Sequence, residues 1–309
     1  MAIIHIPLRI SDNFGDGFDQ FLMIMRKIRS VPQEEPIELD MTTCSFLNPF
    51  FLLPFMLLAN EEGKIRQISI RNNGTNHSFR SYLNLISFGS GLQPENIADD
   101  NYESVLNQYG SKTYIPIINF PATRTHIDTD IRDQFMNVLN NLLIQQLNLR
   151  GNFLTGIMYL LDEAINNIVD HSKEKRGFIF AQFFPSRNFI DICIADTGIT
   201  ILGSYQEKGE IDITTDKLAI NNAANGKSTK ERPENESRGY GISTSKEMLV
   251  SGLKGKYLLF SGKAFLIKTT DKEEIVDIPD DYYWKGTIVI LRIPYMGNLS
   301  FNPSQYYEN

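Results

Sequence analysis

The stretch from Leu160 to Ser172 constrains this chain more than any other, because it reads as a helix with two opposed faces. At about 100° per residue, one arc carries only apolar side chains. These are Ile157, Met158, Leu161, Ala164, Ile165, Ile168 and Val169. The opposite arc carries Glu163, Asn166, Asn167, Asp170 and His171. One face is therefore expected to pack on a core, and the other presents two carboxylates, two carboxamides and an imidazole.

Two explanations of the polar face stay open on this helix alone. A solvated face is the commonest fate of such a stripe. Solvated faces, however, favour Lys, Glu, Gln and Arg, whereas Asn, Asp and His are weak helix formers. The composition of the arc therefore makes a functional face as good an explanation as a solvated one.

Three further motifs follow along the chain. The strand-like segment from Phe189 to Thr200 breaks at Asp196-Thr197-Gly198. The segment from Ser237 to Ser243 reads Ser-Arg-Gly-Tyr-Gly-Ile-Ser and precedes a helical pattern, and Lys285-Gly286-Thr287 opens a strand. Each motif alone is common in ordinary turns, so their order carries the information.

A polar-faced helix, Asp-x-Gly after a strand, Gly-x-Gly before a helix and Gly-Thr before a strand together resemble the four sequence boxes of the GHKL ATPases. The resemblance covers residues 120 to 298, and it implies the Bergerat fold, in which these boxes surround a nucleotide. The spacing of Glu163, Asn167 and His171 is most similar to that of the anti-sigma-factor serine kinases. One departure is Thr200, which stands where the family usually has a second glycine.

The resemblance implies ATP and Mg²⁺ as ligands and gives each box a role. Glu163 would be the general base and Asn167 would bind Mg²⁺ through its carboxamide oxygen. ATP contacts are implied for Asn166, Asn167, Asp170, Asp196, Gly198, Arg238, Gly239, Gly241, Ile242 and Thr287. The carboxylate of Asp196 would accept a hydrogen bond from the adenine amine, and free N–H groups at the helix start would receive phosphate oxygens. Lys227 and Lys230 would neutralise the γ-phosphate from a lid, with a solvated basic run as the alternative.

The first part of the chain has a different pattern. Strand-like and helical segments alternate over residues 1–95, which predicts a small α/β sheet. The passage from Leu39 to Phe50 resembles a STAS domain, the fold of anti-sigma-factor antagonists. The positions matching that family's phosphorylatable serine are Asn48, Pro49 and Phe50, which carry no hydroxyl, and Ser45 lies earlier. This segment is therefore expected to be a regulatory or interaction surface; an unrelated α/β cap is the alternative.

A length of 309 residues suggests two domains in an α/β protein. We expect a STAS-like domain over residues 1–110 and an ATP-binding domain over 111–300. The latter would be a Bergerat-fold α/β sandwich with a mixed, largely antiparallel sheet. Residues 301–309 are expected to be a frayed polar tail.

Charge and cysteine content exclude some functions and favour a compartment. The net charge of −7 disfavours a nucleic-acid partner. The two cysteines read as buried thiols in a reducing compartment. The most apolar run, Phe46 to Ala59, is too short for a bilayer, and no secretory signal is visible. We expect a cytoplasmic protein without membrane contact.

Three functional hypotheses follow from the resemblance. The first is a serine/threonine protein kinase that phosphorylates a partner protein. The second is an ATPase switch, in which a closing lid changes a homodimer or a partner interface. The third is an ATP-dependent interaction protein with little turnover.

Overall fold

A computed structural model describes residues 1–11, 13–73, 77–97, 101–227, 241–295 and 301–307. The chain is an α/β protein with two sheets. The strands are β1 (Ala2–His5), β2 (Ile37–Asp40), β3 (Ile68–Arg71), β4 (Tyr114–Pro121), β5 (Arg176–Phe184), β6 (Phe189–Ala195), β7 (Lys256–Gly262), β8 (Ala264–Lys268), β9 (Glu273–Asp277) and β10 (Trp284–Pro294). The helices are α1 (Asp16–Ser30), α2 (Pro49–Glu62), α3 (His77–Leu85), α4 (Tyr102–Tyr109), α5 (His126–Leu147), α6 (Gly151–His171), α7 (Ile201–Glu207), α8 (Asp216–Ala224), α9 (Gly241–Glu247) and α10 (Ser304–Tyr307).

The small sheet is parallel, with the order β1-β2-β3. It confirms the α/β arrangement expected from the first 95 residues. Asn48-Pro49 predicts a helix start, and α2 begins there, because the Asn48 side chain accepts a hydrogen bond from the Phe51 N–H and Pro49 occupies the first turn. Asn48 is fully buried, so the helix start that resembles a phosphosite is closed to solvent as well as lacking a hydroxyl.

The large sheet has seven strands in the order β4-β5-β6-β10-β7-β8-β9. Each pairing of neighbouring strands is antiparallel, so the expectation of a mixed sheet is wrong on this point. The strands are joined by hairpins and short turns or by excursions through α5–α6 and α7–α9, and an antiparallel ladder accommodates both kinds of connection.

Both faces of the large sheet are buried. On β6, Ile192 and Ile194 lie in a cluster with α5 and α6, whereas Cys193 and Ala195 lie in a cluster with α1 and α2. The ring of Phe18 meets Phe260 edge-on at 5.2 Å between centroids. The amino-terminal helices therefore share one hydrophobic core with the second face of the large sheet.

A buried ion pair lies on that second face. Arg292 donates to both carboxylate oxygens of Asp191 at 2.7 Å, and neither side chain is more than 8% exposed. The Arg292 guanidinium also lies 3.9 Å from the ring centroid of Phe189 and 5.5 Å from that of Phe50 on α2. A charge buried in this way requires its partner. The contact of Arg292 with the Phe50 ring places α2 against this ion pair.

The structure corrects four local expectations. The polar segment Gly91 to Ser111 predicts a linker, but helix α4 occupies part of it. A turn is expected at Asp271 to Glu274, but the turn ends at Lys272 and β9 begins at Glu273. The sequence predicts a helix that begins at Asp130 with Thr129 as its cap, but α5 begins at His126 and is capped by Thr125, whose hydroxyl accepts from the Asp128 N–H. The carboxyl-terminal segment is not frayed where it is described, because Phe301 is 6% exposed and belongs to the core cluster on α6.

Among the helices described, none combines the length and the apolar character needed to cross a bilayer.

Candidate functional site

Helix α6 is the scaffold of the candidate site. Its predicted apolar face is confirmed, because Ile157, Leu161, Ala164, Ile165 and Ile168 are buried. Glu163, Asn166, Asn167, Asp170 and His171 are half-buried rather than fully solvated. Other elements therefore pack against the polar face.

The middle of the polar face meets the start of α9. A Cβ atom added to Gly241 would overlap Glu163 Oε2, and it would lie 3.5 Å from Glu163 Cδ and 3.7 Å from Asn167 Nδ2. Only a residue without a side chain can begin α9 at this position without moving Glu163. The first N–H groups of a helix have no partners within the helix itself, and this helix start lies beside a carboxylate and a carboxamide. Helix α9 continues directly into a π-helical turn, Met248–Gly252.

The carboxyl end of α6 meets the turn after β6. Asp196 is 1% exposed. Its Oδ1 accepts from the Gly198 N–H at 2.8 Å, and its Oδ2 accepts from the Thr287 N–H at 3.2 Å. Burial raises the pKa of the Asp196 carboxyl to about 7, although both N–H donors oppose the shift. Trp284 Nε1 donates to the Asp196 carbonyl oxygen at 3.1 Å, which fixes the backbone of the turn.

Two glycines allow this turn to form. A Cβ on Gly198 would overlap the Ser172 carbonyl oxygen and lie 2.7 Å from its carbonyl carbon. Gly286 has a φ of +104°, and a Cβ there would lie 2.7 Å from Asp196 Oδ1. The backbones of β6, β10 and α6 thus approach one another closely around Asp196.

The two clusters are connected along α6. Asn167 and Ser172 are five residues apart, which corresponds to about 7.5 Å along a helix axis. Glu163, Asn167 and Gly241 form one cluster, and Asp196, Gly198 and Thr287 form the other. The structure therefore brings residues from all four sequence motifs to one helix.

Most of the remaining predicted site residues contact the loop before α5, helix α7 or the apolar clusters. Asp170 forms an ion pair with Arg124, in the loop before α5. The Nδ1 atom of His171 lies 3.2 Å from the Ser204 hydroxyl on α7. Asn166 lies beside Asn167 and is half-buried, and Ile242 packs against the apolar clusters next to α6 and α7.

The predicted lid residues are described only in part. Lys227 Nζ lies 2.7 Å from a Glu210 carboxylate oxygen and 5.9 Å from the Tyr205 ring centroid. Lys230, Arg238 and Gly239 lie outside the described residues. The ammonium of Lys227 is therefore paired locally with Glu210.

Sequence reasoning missed Ser172, Trp284 and Arg124 as parts of the site. Trp284 is the single tryptophan of the chain and lies two residues before Gly286, so its position next to the Gly-Thr motif was a usable signal. The contacts of Ser172 and Arg124 depend on tertiary packing, so a local sequence pattern does not predict them.

Metal binding depends on which donor side chains lie close together. No group of three or more His, Cys, Asp or Glu side chains with metal-binding geometry occurs in the part of the chain that the structure describes. A magnesium ion that arrives with phosphates and keeps its waters needs few protein ligands. The Asn167 side chain, which lies beside the start of α9, carries one carboxamide oxygen that could serve an ion of that kind.

We compared the chain with protein-family models, curated proteins and solved structures, and none of them matches it.

Proposed function

We propose that this chain is an ATP-binding regulatory protein of the GHKL type, which transfers the γ-phosphoryl group of Mg-ATP to a serine or threonine hydroxyl of a partner protein. The observation that carries the proposal is the close approach of Gly241 to Glu163 and Asn167 on α6, whose carboxyl end abuts the Asp196 turn. Segments far apart in sequence thus supply a base-reading carboxylate, helix N–H donors, a carboxamide and a second carboxylate.

Adenine recognition is assigned to Asp196. Each carboxylate oxygen already accepts one backbone N–H and keeps a further lone pair. An ionised Asp196 can therefore accept a hydrogen bond from an exocyclic amine while its orientation stays fixed. Because burial raises the pKa of Asp196 to about 7, this function favours binding at and above neutral pH.

Phosphate binding is assigned to the start of α9 and to Asn167. The N–H groups of a first helical turn suit phosphate oxygens. Asn167 would hold Mg²⁺ through its carboxamide oxygen, and that ion supplies neutralisation of phosphate charge. The closeness of Gly241 to Asn167 supports this assignment.

Glu163 is assigned the proton transfer. Its carboxylate would take the proton from the acceptor hydroxyl as that oxygen bonds to the γ-phosphorus. The bond from the γ-phosphorus to the β–γ bridging oxygen then breaks, and ADP leaves. With water as the acceptor, the same groups would hydrolyse ATP.

The test compares Glu163→Gln with Asp162→Asn, a matched change at the next position on α6. Asp162 is exposed and lies about 100° away from Glu163 around the helix, so the two side chains point in different directions. We expect Glu163→Gln to bind Mg-ATP in calorimetry but to lose turnover by about 100-fold or more, as for removal of a general base. Asp162→Asn should behave like the wild type.

The products then separate the hypotheses. Transfer of the γ-phosphoryl label to a protein hydroxyl supports the kinase, and free phosphate without labelled protein would assign an ATPase switch instead. Binding without turnover would assign an ATP-dependent interaction protein. The absence of Mg-ATP binding by the wild type at millimolar concentration would refute the proposal.

A further inference from the structure

The ring of Phe301 fills a gap between α6 and the end of the α9 segment. A Cβ on Gly156 of α6 would lie 2.5 Å from Phe301 Cε1, and a Cβ on Gly252 would lie 2.7 Å from Phe301 Cε2. Gly252 ends the π-helical turn that follows α9. The two glycines therefore form a notch whose walls belong to two different helices, and the ring joins them.

Further contacts hold the ring in this notch. The Asn152 side chain on α6 donates to the Phe301 carbonyl oxygen at 2.9 Å. The Tyr306 ring stacks on Phe301 with centroids 6.0 Å apart, and its hydroxyl lies beside Gly252. We call residues 301–306 the carboxyl-terminal latch. Its contacts reach both α6 and the α9 segment.

The latch and the candidate site lie along the same side of α6. Gly156 precedes Glu163 by seven residues, which places the two about 20° apart around the helix and two turns apart along it. The α9 segment is thus held against α6 at two points. Gly241 contacts Glu163 and Asn167 at one end, and Gly252 is held through Phe301 at the other.

We propose that Phe301 is a positioning residue, and that the latch keeps the first turn of α9 at the distance from Glu163 and Asn167 that nucleotide binding requires. This inference rests on the proposed function for its effect on nucleotide. Removal of the ring would leave a cavity between Gly156 and Gly252, two positions that carry no side chain to fill it. Phosphate donors on α9 would then shift, whereas Glu163 on α6 and Asp196 after β6 would stay in place.

The test uses the full chain with Phe301→Ala, the conservative Phe301→Leu and the control Ser304→Ala, whose position in the latch is exposed. Without nucleotide, we expect Phe301→Ala to speed amide hydrogen exchange in residues 241–252 but not in β5 and β6. With Mg-ATP, KM should rise about tenfold, a loss of roughly 1.4 kcal/mol, with kcat within about twofold. Phe301→Leu should recover most of the affinity, and Ser304→Ala should match the wild type.

A second variant separates the latch from general loss of stability. Gly156→Ala keeps Phe301, but its methyl group fills the space that the Phe301 ring occupies. The same change stabilises the α6 helix by up to about 1 kcal/mol. We expect the same rise in KM without faster exchange in α6.

Each outcome is decisive. Unchanged exchange in 241–252, or equally faster exchange in every element, would overturn the latch. Faster local exchange with an unchanged KM would overturn its link to the site. If Phe301→Ala shows faster exchange in residues 241–252 but the wild-type protein binds no Mg-ATP, the latch would be supported as a packing contact, and the proposed function would be refuted.

Discussion

The two ends of the candidate site use glycine in different ways. Gly198 faces backbone, because its missing Cβ would overlap the Ser172 carbonyl group at the end of α6. Gly241 faces the tip of a side chain, Glu163 Oε2. Backbone held in a helix cannot move aside, whereas the end of a glutamate can rotate. The Asp196 end is therefore rigid, and the Glu163 end is adjustable.

The largest expected effect concerns the charge of Asp196. Its folded-state pKa of about 7 lies above its ordinary value of 3.8, so the folded protein holds this proton more tightly than the unfolded chain. The contribution of the Asp196 carboxyl to the free energy of unfolding is fully present below pH 3.8, and it is lost as the pH rises through about 7. At about 1.4 kcal/mol per pKa unit, the wild type should lose up to about 4 kcal/mol of unfolding free energy between pH 4 and 8 relative to Asp196→Asn. Urea denaturation of both proteins across this range measures the difference, and parallel curves would contradict the assignment.

The next effect tests the rigidity of the Asp196 end. Gly198→Ala should lower the free energy of unfolding by about 3 kcal/mol, because the new methyl group meets helix backbone. Gly209→Ala is the matched control, since Gly209 has a φ of +77° but no atom within 4 Å of an added Cβ. It should cost only the left-handed backbone penalty of about 1 kcal/mol. Equal losses for the two variants in urea denaturation would show that the Asp196 end is as adjustable as the other.

At the Glu163 end of the candidate site, we expect a smaller effect on stability and a clear effect on activity. Gly241→Ala should change the free energy of unfolding by less than about 1 kcal/mol, because Glu163 can rotate and alanine favours the helix. Turnover of Mg-ATP should fall about tenfold, since Glu163, the proposed general base, is displaced from its position. Phosphate release and thermal denaturation measured on the same protein test both parts. A large loss of stability would remove the contrast between the ends.

The smallest effect is expected at Lys227. Its ion pair with Glu210 is exposed, so Lys227→Ala should cost under about 0.5 kcal/mol. Because its ammonium is bound by Glu210, we expect the KM for Mg-ATP to stay within about twofold of wild type. A larger rise in KM would mean that Lys227 leaves Glu210 for the nucleotide, and the role of the basic run as a lid would then be supported.

The sequence predicted the elements whose pattern is local. The two faces of α6 and the Asn48-Pro49 start of α2 were visible in the residue order. So was the hairpin of β5 and β6, because two apolar runs flank the turn residues Pro185-Ser186-Arg187-Asn188. Strand β9 was not visible, because its sequence Glu-Glu-Ile-Val-Asp is half exposed and its conformation comes from pairing with β8. The cap of α5 was placed one turn late, since Thr125 and Thr129 offer the same hydroxyl and neighbouring tertiary structure selects between them.

The candidate site was predictable residue by residue but not as an arrangement. The strand break at Asp196 and Gly198 followed from local chemistry. The approach of Gly198 to Ser172, of Gly241 to Glu163 and of Phe301 to Gly156 depends on packing between elements far apart in sequence. A signal for burial on both sides was present in β6, where Ile190 to Ala195 is apolar on both faces except at Asp191.

The core shared by the amino-terminal helices and the large sheet has a consequence for the order of folding. Phe21 on α1 packs against Trp284 on β10, almost the whole length of the chain away. At a synthesis rate of about 5–20 residues per second, α1 and α2 emerge from the ribosome on the order of ten seconds or more before their final packing partner. Helix α2, which is apolar on every side, is then the segment most exposed to aggregation. We expect newly made chains to depend on holding chaperones until β10 closes the sheet.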